Sequence, residues 1–399
     1  MSLTAVPAPL PRQTRPLPSL EALLGGSSMS PIPTPFRKSA YDRFMAGDHG
    51  FGRYSRLKLD WKGLTPRNPT FKALDLRPLD PGAGAPVAPR SLTEPDAGEA
   101  FRTARSRFGT PSPWEDLLEA GWRDGIYMRW PAGQTGKPVG MEVTSPGGLV
   151  LEPMLLEVEA RAEATLFIRW TGSESPSLHL TSLRGRVGDG ARLKLVLLHE
   201  GLGSHHRISN SLELGRDASV EVFCAWLGGK WTVARVGAEL SAPGASWRET
   251  HLISTAGREH LDVDSQVRMA ARHTHSDIQV KTVADGDSRA IFTGNLLMEP
   301  EAVQSEAYLS DHVLLLSKGT RADSIPGLEI KAADVKASHA ASVGQVDEEQ
   351  SFYLESRGLA PAQARRLIVV GFLKSLMDRA PMPFVPDMLD PILEAKVSP

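Results

Sequence analysis

The chain has 399 residues, of which 41% are hydrophobic, and a formal net charge of −2. This size suits two or three domains or one long repetitive domain, and the balanced charge argues against nucleic acid as a partner. The single cysteine, Cys224, excludes an internal disulfide framework and a CxxC metal site. Because no signal-peptide pattern and no run of about eighteen apolar residues occur, we expect a soluble, cytoplasmic protein without a membrane partner.

The N-terminal third of the chain divides into two parts. Residues 1–36 are rich in proline and serine, which predicts a disordered arm with at most a short helix at "SLEALLG". Residues 37–125 predict a mostly helical region. Its helices are expected in "RKSAYDRFMAG", "TEPDAGEAFRTARSRFG" and "SPWEDLLEAGWRDG", the first two ended by glycine and the third started by a Ser-Pro pair.

The central region, residues 126–345, consists of many short β segments. They begin with "IYMRW", end with "LEIKAADVKASHAASVG", and mostly alternate apolar and polar residues between turns at Gly, Asp, Asn or Ser. Such a series is typical of a sandwich, a barrel or a β-solenoid. No strict repeat period is visible, so these residues alone leave the three architectures open.

The last region, residues 346–399, predicts a compact helical domain. Pro361 suits the first position of a helix, and Pro381 ends that helix. A second, shorter helix is expected in "PDMLDPILEAKV". Helical spacing places six residues on one face of the first helix, namely Ala364, Leu367, Ile368, Gly371, Phe372 and Ser375. The simplest interpretation is that Leu367, Ile368 and Phe372 on this face pack on the end of the β region.

Several histidines are weak candidates for metal binding. His205 and His206 follow a strand and are expected in a surface loop, where adjacent residues cannot easily share one metal. His273 and His275 would lie on one face of a strand, about 7 Å apart, which could seat a metal if a third ligand were present.

Two further candidates are also weak. The pair His260 and Asp262 has the same strand spacing as His273 and His275, and it also lacks a third ligand. Cys224 lies on an apolar strand face, so we expect a buried, inert thiol.

His339 stands out within "DVKASHAASVG". As a strand, this stretch places His339 on one face with Val335, Ala337, Ala341 and Val343. The small neighbours leave space beside the imidazole for a metal, a partner residue or another packed side chain. The alternative is a core histidine that is hydrogen-bonded to a backbone carbonyl.

Motifs for common catalytic chemistry are missing from the sequence. It contains no GxxxxGK[ST] phosphate loop, no GxSxG nucleophile elbow and no HExxH zinc motif. These absences lower the expectation that the chain is an enzyme.

The last third of the chain contains a dense series of short elements in a fixed order. They are Phe292–Gly294, Leu314–Ser317, Pro326–Ile330, Asp334–Val335, Ser338–His339, Gly344, Asp347–Gln350, Phe352–Tyr353 and Ser356–Gly358. In these elements the chain resembles the SufB/SufD family of iron–sulfur cluster assembly proteins, densely over residues 250–378 and loosely over the earlier β segments.

This resemblance implies a mainly β fold, in which a right-handed parallel β-helix core is flanked by N- and C-terminal helical domains. It implies a non-catalytic scaffold subunit that binds no cofactor tightly by itself. Its family partners are a SufB-like paralogue, joined through the β-helix, and a SufC-like ABC ATPase, docked on the C-terminal helical domain. Iron or a nascent iron–sulfur cluster is expected at the interface with the paralogue.

Within the family, the chain is most similar to the SufD branch. Asp311 stands near the position where SufB carries its sulfur-accepting thiol, and Ala337 replaces a cysteine that is often present in SufD. His339 matches the family histidine that faces SufB, so the resemblance makes it the candidate ligand for iron or the cluster.

Two alternatives stay open at this point. One is a stand-alone, SufB-like homodimeric scaffold. The other is a β-helix enzyme, such as a polysaccharide lyase or a metal-dependent hydrolase, because a fold does not by itself decide function.

Overall fold

The computed structural model describes residue 19 and residues 34–47, 64, 66–67, 70–74, 87–103, 112–172, 177–201 and 205–397. The elements before the central region are three helices and three short strands. They are α1 Thr34–Ala46, β1 Pro66–Arg67, β2 Thr70–Leu74, β3 Arg90–Ser91, α2 Pro95–Thr103 and α3 Pro113–Gly121.

The central region contains only strands among its described elements, and three helices follow it. The strands are β4 Ile126–Trp130, β5 Val139–Ser145, β6 Gly148–Val158, β7 Glu163–Gly172, β8 Ser177–Val187, β9 Arg192–Glu200, β10 His205–Leu214, β11 Ser219–Leu227, β12 Trp231–Leu240, β13 Ser246–Thr255, β14 His260–Met269, β15 His275–Ala284, β16 Arg289–Met298, β17 Glu306–Leu315, β18 Arg321–Ile330 and β19 Lys336–Gln345. The helices are α4 Glu348–Ser356, α5 Pro361–Met377 and α6 Val385–Val397.

Successive strands alternate between two sheets. The even-numbered strands from β4 to β18 form one parallel series, the even sheet, and the odd-numbered strands from β5 to β19 form the other, the odd sheet. The chain therefore winds through about seven turns of a parallel β-solenoid. This confirms the expected mainly β fold, with a parallel β-helix core and helices toward both termini, and excludes the sandwich and the barrel.

The coils of the solenoid differ in length. His205 lies in register with Leu178 of the preceding coil and with Trp231 of the next, so coils of about 27 residues separate them. Near the other end, Arg289 pairs with Arg321, 32 positions later in the sequence. This drift explains why the sequence shows no strict repeat.

The coils do share one regular feature, which is a backbone conformation rather than a sequence motif. At the corner that leads from each even strand to the next odd strand, one residue adopts a positive φ angle; the residues are Gly133, Arg161, Gly190, Asp217, Gly244, His273, Gln304 and Asp334. Adjacent corners are joined by backbone hydrogen bonds, such as that from His273 N to Val303 O at 3.1 Å. The backbone conformation repeats from coil to coil, but the residue type at this position varies. A search for a repeated sequence motif therefore does not detect the coils.

Inward-facing side chains of both sheets form the main hydrophobic core. It includes the fully buried Trp130, Trp170, Trp226 and Trp247. Each strand contributes alternate residues, as the period of a strand requires. Several strands are also buried on their outer side, which gives near-continuous apolar segments such as β6.

The N-terminal helices cover the outer face of the even sheet. Phe44, Phe101 and Trp114 pack with apolar side chains of β6 and β8. Arg184 of β8 fastens α3 to the sheet, because it donates hydrogen bonds to Glu115 at 2.8 Å and Glu119 at 3.0 Å.

The three helices predicted in this region are confirmed. Pro113 begins α3, and the side chain of Ser112 accepts a hydrogen bond from the Trp114 amide as the N-cap. Residues 104–109 of the second predicted segment lie outside the described residues. The predicted short helix after Ser19 and almost all of the predicted arm, 1–36, also lie outside them, and α1 begins at Thr34.

The C-terminal helices cover the outer face of the odd sheet. Val369 and Leu373 of α5 pack in one cluster with Phe167, Phe223 and Leu252 of the strands. Helix α5 begins at Pro361, and α6 occupies the segment predicted for the last helix.

The predicted packing face of α5 was partly wrong. Ala364 is buried as expected, but Leu367 is 52% exposed. The buried face instead runs through Val369, Leu373 and Leu376, because the helix lies along the odd sheet rather than over the end of the β region.

The division of the chain into four units, 1–36, 37–125, 126–345 and 346–399, stays a prediction about independent domains. Within the described residues, no helix is both long enough and apolar enough to cross a membrane.

Candidate functional site

The two ends of the solenoid differ in how their backbone edges are used. At the N-terminal end, β2 pairs antiparallel with β5, and β3 pairs antiparallel with β4, so this end is capped. At the other end, β18 pairs only with β16, and β19 pairs only with β17, within the described part of the chain. We call this second end, formed by β18 and β19, the open end.

The side chains at the open end are largely accessible. All residues of β19 are exposed except Ala337, which is half-buried, and apolar Ile330 and Val343 are about half exposed. An unpaired parallel edge offers free backbone donors and acceptors to a further strand. The open end is therefore a surface suited to strand-mediated contact with another chain.

His339 lies on this surface. It is paired in register with Leu309, which faces the solenoid interior, so His339 points in the same direction from the last coil. Its side chain is exposed, since within the described part of the chain no further coil covers it. The alternative of a buried core histidine is therefore excluded, and the imidazole is accessible to a metal or to a partner side chain.

Asp311 lies one strand below, on the same inward side. It pairs in register with Ala341, it is fully buried, and neither carboxylate oxygen has a hydrogen-bond partner among the described residues. Burial raises the pKa of this carboxyl to about 6, and the nearby Ser324 hydroxyl and His251 offset part of that effect. Alternation with Ala307 and Leu309 in "EAYLSDHVLL" was the sequence signal for this buried charge.

The outward side of the same strands is polar and paired. His312 Nδ1 lies 2.7 Å from Ser342 Oγ, and Lys336 donates to Glu306 at 2.8 Å. The chemistry of the two sides therefore differs. The outward side carries satisfied polar groups, whereas the inward side of the open end carries an accessible imidazole above a buried carboxyl.

Deeper in the solenoid, the interior contains polar networks that sequence reasoning missed. Glu152 Oε2 accepts hydrogen bonds from Trp170 Nε1 at 3.1 Å and Thr181 Oγ1 at 2.7 Å, and it lies 2.8 Å from His179 Nε2. The His206 ring stacks on His179 with centroids 4.3 Å apart. Burial places the pKa of His206 well below its usual value, so this ring is neutral.

The interpretation of His205 and His206 as a surface loop was therefore wrong. Both belong to β10, His206 is fully buried, and His205 is half-buried. The loop was expected because the two histidines follow a strand, but a new strand, β10, begins at His205. As expected, the two rings do not share one side of the strand.

The prediction that His273 and His275 share one face of a strand is also wrong. His273 occupies a left-handed corner before β15, with φ of 58°, whereas His275 is the first residue of that strand. They are therefore not two residues of one strand face. His260 and Asp262 do lie in one strand, but no group of three or more His, Cys, Asp and Glu residues in the described ranges could hold a metal ion.

Cys224 lies inside the core of the solenoid and is fully buried, as expected. Burial raises the pKa of its thiol well above the usual value, and Glu249 adds to the effect. The only thiol of the sequence is thus neutral and out of reach of the open end.

These features define a parallel solenoid protein with one capped end, one end whose edge strands are unpaired in the described structure, and an exposed histidine at that second end. Residues 142–372 match the model of the SufBD core domain of the SUF system for iron–sulfur cluster assembly. Since this match covers more than half of the sequence, the chain belongs to the SufBD family of iron–sulfur cluster assembly proteins.

Individual relatives agree with this family. A SufBD family iron–sulfur cluster assembly protein of Mycobacterium leprae is 29% identical over 285 residues, which span 66% of this chain and 70% of the relative. The cluster assembly protein SufD of Escherichia coli is 30% identical over 226 residues, 56% of this chain and 53% of SufD. SufD of Bacillus subtilis is 30% identical over 183 residues, 46% of this chain and 42% of that protein.

Proposed function

We propose that this chain is a SufD-like, non-catalytic scaffold subunit of a cytoplasmic complex that assembles iron–sulfur clusters. Its partners are a SufB-like paralogue at the open end of the solenoid and a SufC-like ABC ATPase at the C-terminal helices. The observation that carries the proposal is the exposed His339 at an unpaired solenoid end, in a chain whose single thiol is sealed in the core.

The edge strands support the paralogue interface. Strands β18 and β19 leave one backbone edge each without a partner in the described part of the chain, and exposed Ile330 and Val343 add apolar area beside those edges. A long unpaired edge of this kind promotes uncontrolled association unless a specific partner covers it. A second solenoid of the same width would satisfy the whole edge.

The distribution of thiols supports a division of labour. Iron–sulfur clusters are held mainly by cysteine thiolates, and sulfur transfer also requires a thiolate. Because Cys224 is the only cysteine and is fully buried, the sulfur ligands would come from the paralogue. A single, buried thiol therefore favours the SufD-like subunit over a stand-alone homodimeric scaffold.

His339 is the proposed contribution of this chain to the assembly site. Iron is here a substrate of the complex, and an accessible imidazole is a suitable ligand for it. The neighbouring Ala337 and Ala341 carry only methyl groups, so they leave room for an ion or a nascent cluster beside the ring.

Exposed apolar side chains on the C-terminal helices support ATPase docking. Phe352 of α4 is 73% exposed, Tyr353 is 57% exposed, and Leu367 of α5 is 52% exposed. Large apolar side chains in such positions commonly mark contact surfaces. The proposal assigns this group of three residues to the ATPase.

The first experiment is a tagged pull-down of the full chain from extracts of its native cells, with bound proteins identified by mass. Recovery of an ABC-type ATPase together with a cysteine-bearing solenoid paralogue is expected. Recovery of the ATPase alone would favour a homodimeric scaffold. Recovery of neither, from cells that express both, would refute the proposal and direct attention to a β-helix enzyme.

The second experiment tests His339 directly. The variant His339→Ala should fold and form the complex normally but yield less iron and fewer clusters, while His312→Ala on the outward side of the neighbouring strand should behave as wild type. Normal cluster assembly by the His339→Ala complex would rule out the proposed ligand.

A further inference from the structure

The carboxyl of Asp311 is a buried acidic group near the open end to which the proposed function assigns no role. It is fully buried on the inward side of β17, and neither of its oxygens has a hydrogen-bond partner in the described ranges. In register, it lies between Val280 of the coil below and Ala341 of the last coil. Its strand neighbours therefore offer it only aliphatic side chains.

The polar groups nearest to Asp311 compensate its charge only in part. The Ser324 hydroxyl on β18 lies close enough to offset some of the effect of burial on the Asp311 pKa, but no hydrogen bond of normal length and angle joins the two side chains. His251 lies two strands away in the same register column, about 10 Å distant. The His251 ring is already held by Trp226 Nε1, at 2.9 Å, and by Glu249.

A buried carboxyl that is only partly compensated destabilises the fold, and a cation from outside the chain would relieve that cost. The coils below are filled with core side chains, whereas the open end lies one strand above Asp311. The Ala341 methyl group is the register neighbour on that side. A small cation can therefore approach the carboxyl only from the open end.

The same approach passes His339. Asp311 and His339 lie on adjacent parallel strands, both directed inward, and they are offset by two residues because Leu309 pairs with His339. Strand spacing and rise put their Cα atoms about 8 Å apart. The two side chains are long enough to reach one ion between them, and imidazole and carboxylate together suit a ferrous ion.

We propose that Asp311 is a second iron ligand of this chain, which binds Fe²⁺ together with His339 at the open end while the paralogue supplies the remaining ligands. This inference rests on the proposed function, because it assumes that iron enters at the interface with the paralogue. Iron is bound first through nitrogen and oxygen, before sulfur arrives. No oxidation or reduction is required for this step.

The test uses the full complex of this chain with its ATPase and cysteine-bearing paralogue, under anaerobic conditions and without a sulfur source. Binding of Fe²⁺ is measured by equilibrium dialysis for wild type, Asp311→Asn, His339→Ala and, as a control, His312→Ala. We expect Asp311→Asn and His339→Ala each to weaken Fe²⁺ binding tenfold or more. We expect His312→Ala to remain within twofold of wild type.

A second measurement separates a ligand from a structural residue. The near-isosteric Asp311→Asn change removes an unpaired buried charge, so the melting temperature of the chain at pH 7 should rise. The amount of complex should stay the same, because the carboxyl is not exposed at the surface. A lower melting temperature would identify Asp311 as a structural partner and overturn the inference.

Failure of the inference can be told apart from failure of the proposed function. If the wild-type complex binds Fe²⁺ and only His339→Ala weakens it, Asp311 is not a ligand and the proposed function stands. If the wild-type proteins form no complex, the proposed function itself fails, and with it the inference.

Discussion

The two ends of the solenoid are built from the same repeating coil but finish in opposite ways. At the capped end, antiparallel strands β2 and β3 close the sheets, and Trp130 fills the first coil as a fully buried side chain. At the open end, β18 and β19 keep one edge unpaired in the described structure, and the residues of β19 are exposed.

The two ends differ in how their terminal coil is stabilised and in whether polar side chains are accessible there. In repeat proteins, each coil is stabilised mainly by its neighbours, so a terminal coil needs either a cap or a partner. The cap supplies that stabilisation within the chain at one end. At the other end, β18 and β19 each leave one edge unpaired in the described structure, and the last coil carries the exposed His339.

The largest effect is expected on the free energy of unfolding, when a buried side chain at the capped end is compared with an exposed one at the open end. Replacement of Trp130 by alanine should lower the free energy of unfolding by about 3–5 kcal/mol, because it leaves a large cavity in a closed coil. Replacement of half-exposed Val343 by alanine should change it by less than about 0.5 kcal/mol. Denaturant unfolding of the isolated chain measures both.

Equal losses from Trp130→Ala and Val343→Ala would contradict the comparison. Such a result would mean that the last coil is as tightly packed as the first, so the open end would not need a partner.

The next prediction concerns pH and the buried carboxyl below the open end. The pKa of Asp311 is raised to about 6 in the folded protein, from an ordinary value of 3.8. The folded state therefore binds the proton more tightly than the unfolded state, so this residue lowers stability progressively as the pH rises from about 4 to about 6. At pH 7 the penalty is at most about 3 kcal/mol.

The variant Asp311→Asn removes this penalty and isolates it. The difference in unfolding free energy between variant and wild type should be near zero at pH 4 and should reach its full value, in favour of the variant, above pH 6. Buried histidines such as His199, with a pKa lowered to about 3 by burial, oppose this trend in both proteins and cancel in the difference. A difference independent of pH would show that the carboxyl is not buried as described.

Sequence reasoning succeeded where local chemistry determines structure. Ser112 and Pro113 start α3, Pro361 starts α5, and alternation identifies the strands. The family resemblance then supplied the parallel arrangement, which local patterns cannot reveal because the repeat resides in the left-handed corners. Their residue types vary from Gly190 to His273.

Sequence reasoning failed where an environment is created by distant residues. The burial of His206 depends on its strand neighbours His179 and Thr232, which lie in other coils. The same holds for Asp311, whose burial depends on its register neighbours Val280 and Ala341 in the two adjacent coils. Accessibility of His339 also depends on the absence of a further coil, and this cannot be read from the surrounding letters.

A third prediction tests the partner surface. A lysine at Val343 places a charge beside the unpaired edge of β19, and it should weaken binding of the paralogue about a hundredfold with little change in stability. The matched control is Phe71→Lys on β2, an exposed aromatic at the capped end, which should leave paralogue binding unchanged. Calorimetric titration with purified paralogue distinguishes the two variants, and equal effects would refute the assignment of the open end.

The smallest effect is expected from a substitution at the contact between the C-terminal helices and the odd sheet. It tests whether the open end binds the paralogue without help from these helices. Arg379, which follows α5, bonds to Asp277 at 2.8 Å and to Thr250 at 3.1 Å, so it fastens the helices to the middle of the odd sheet rather than to its end. Loss of this partly buried contact in Arg379→Met should cost about 1 kcal/mol of stability. Paralogue binding should be unchanged, whereas a clear loss would mean that the helices, and not the edge strands alone, form the paralogue surface.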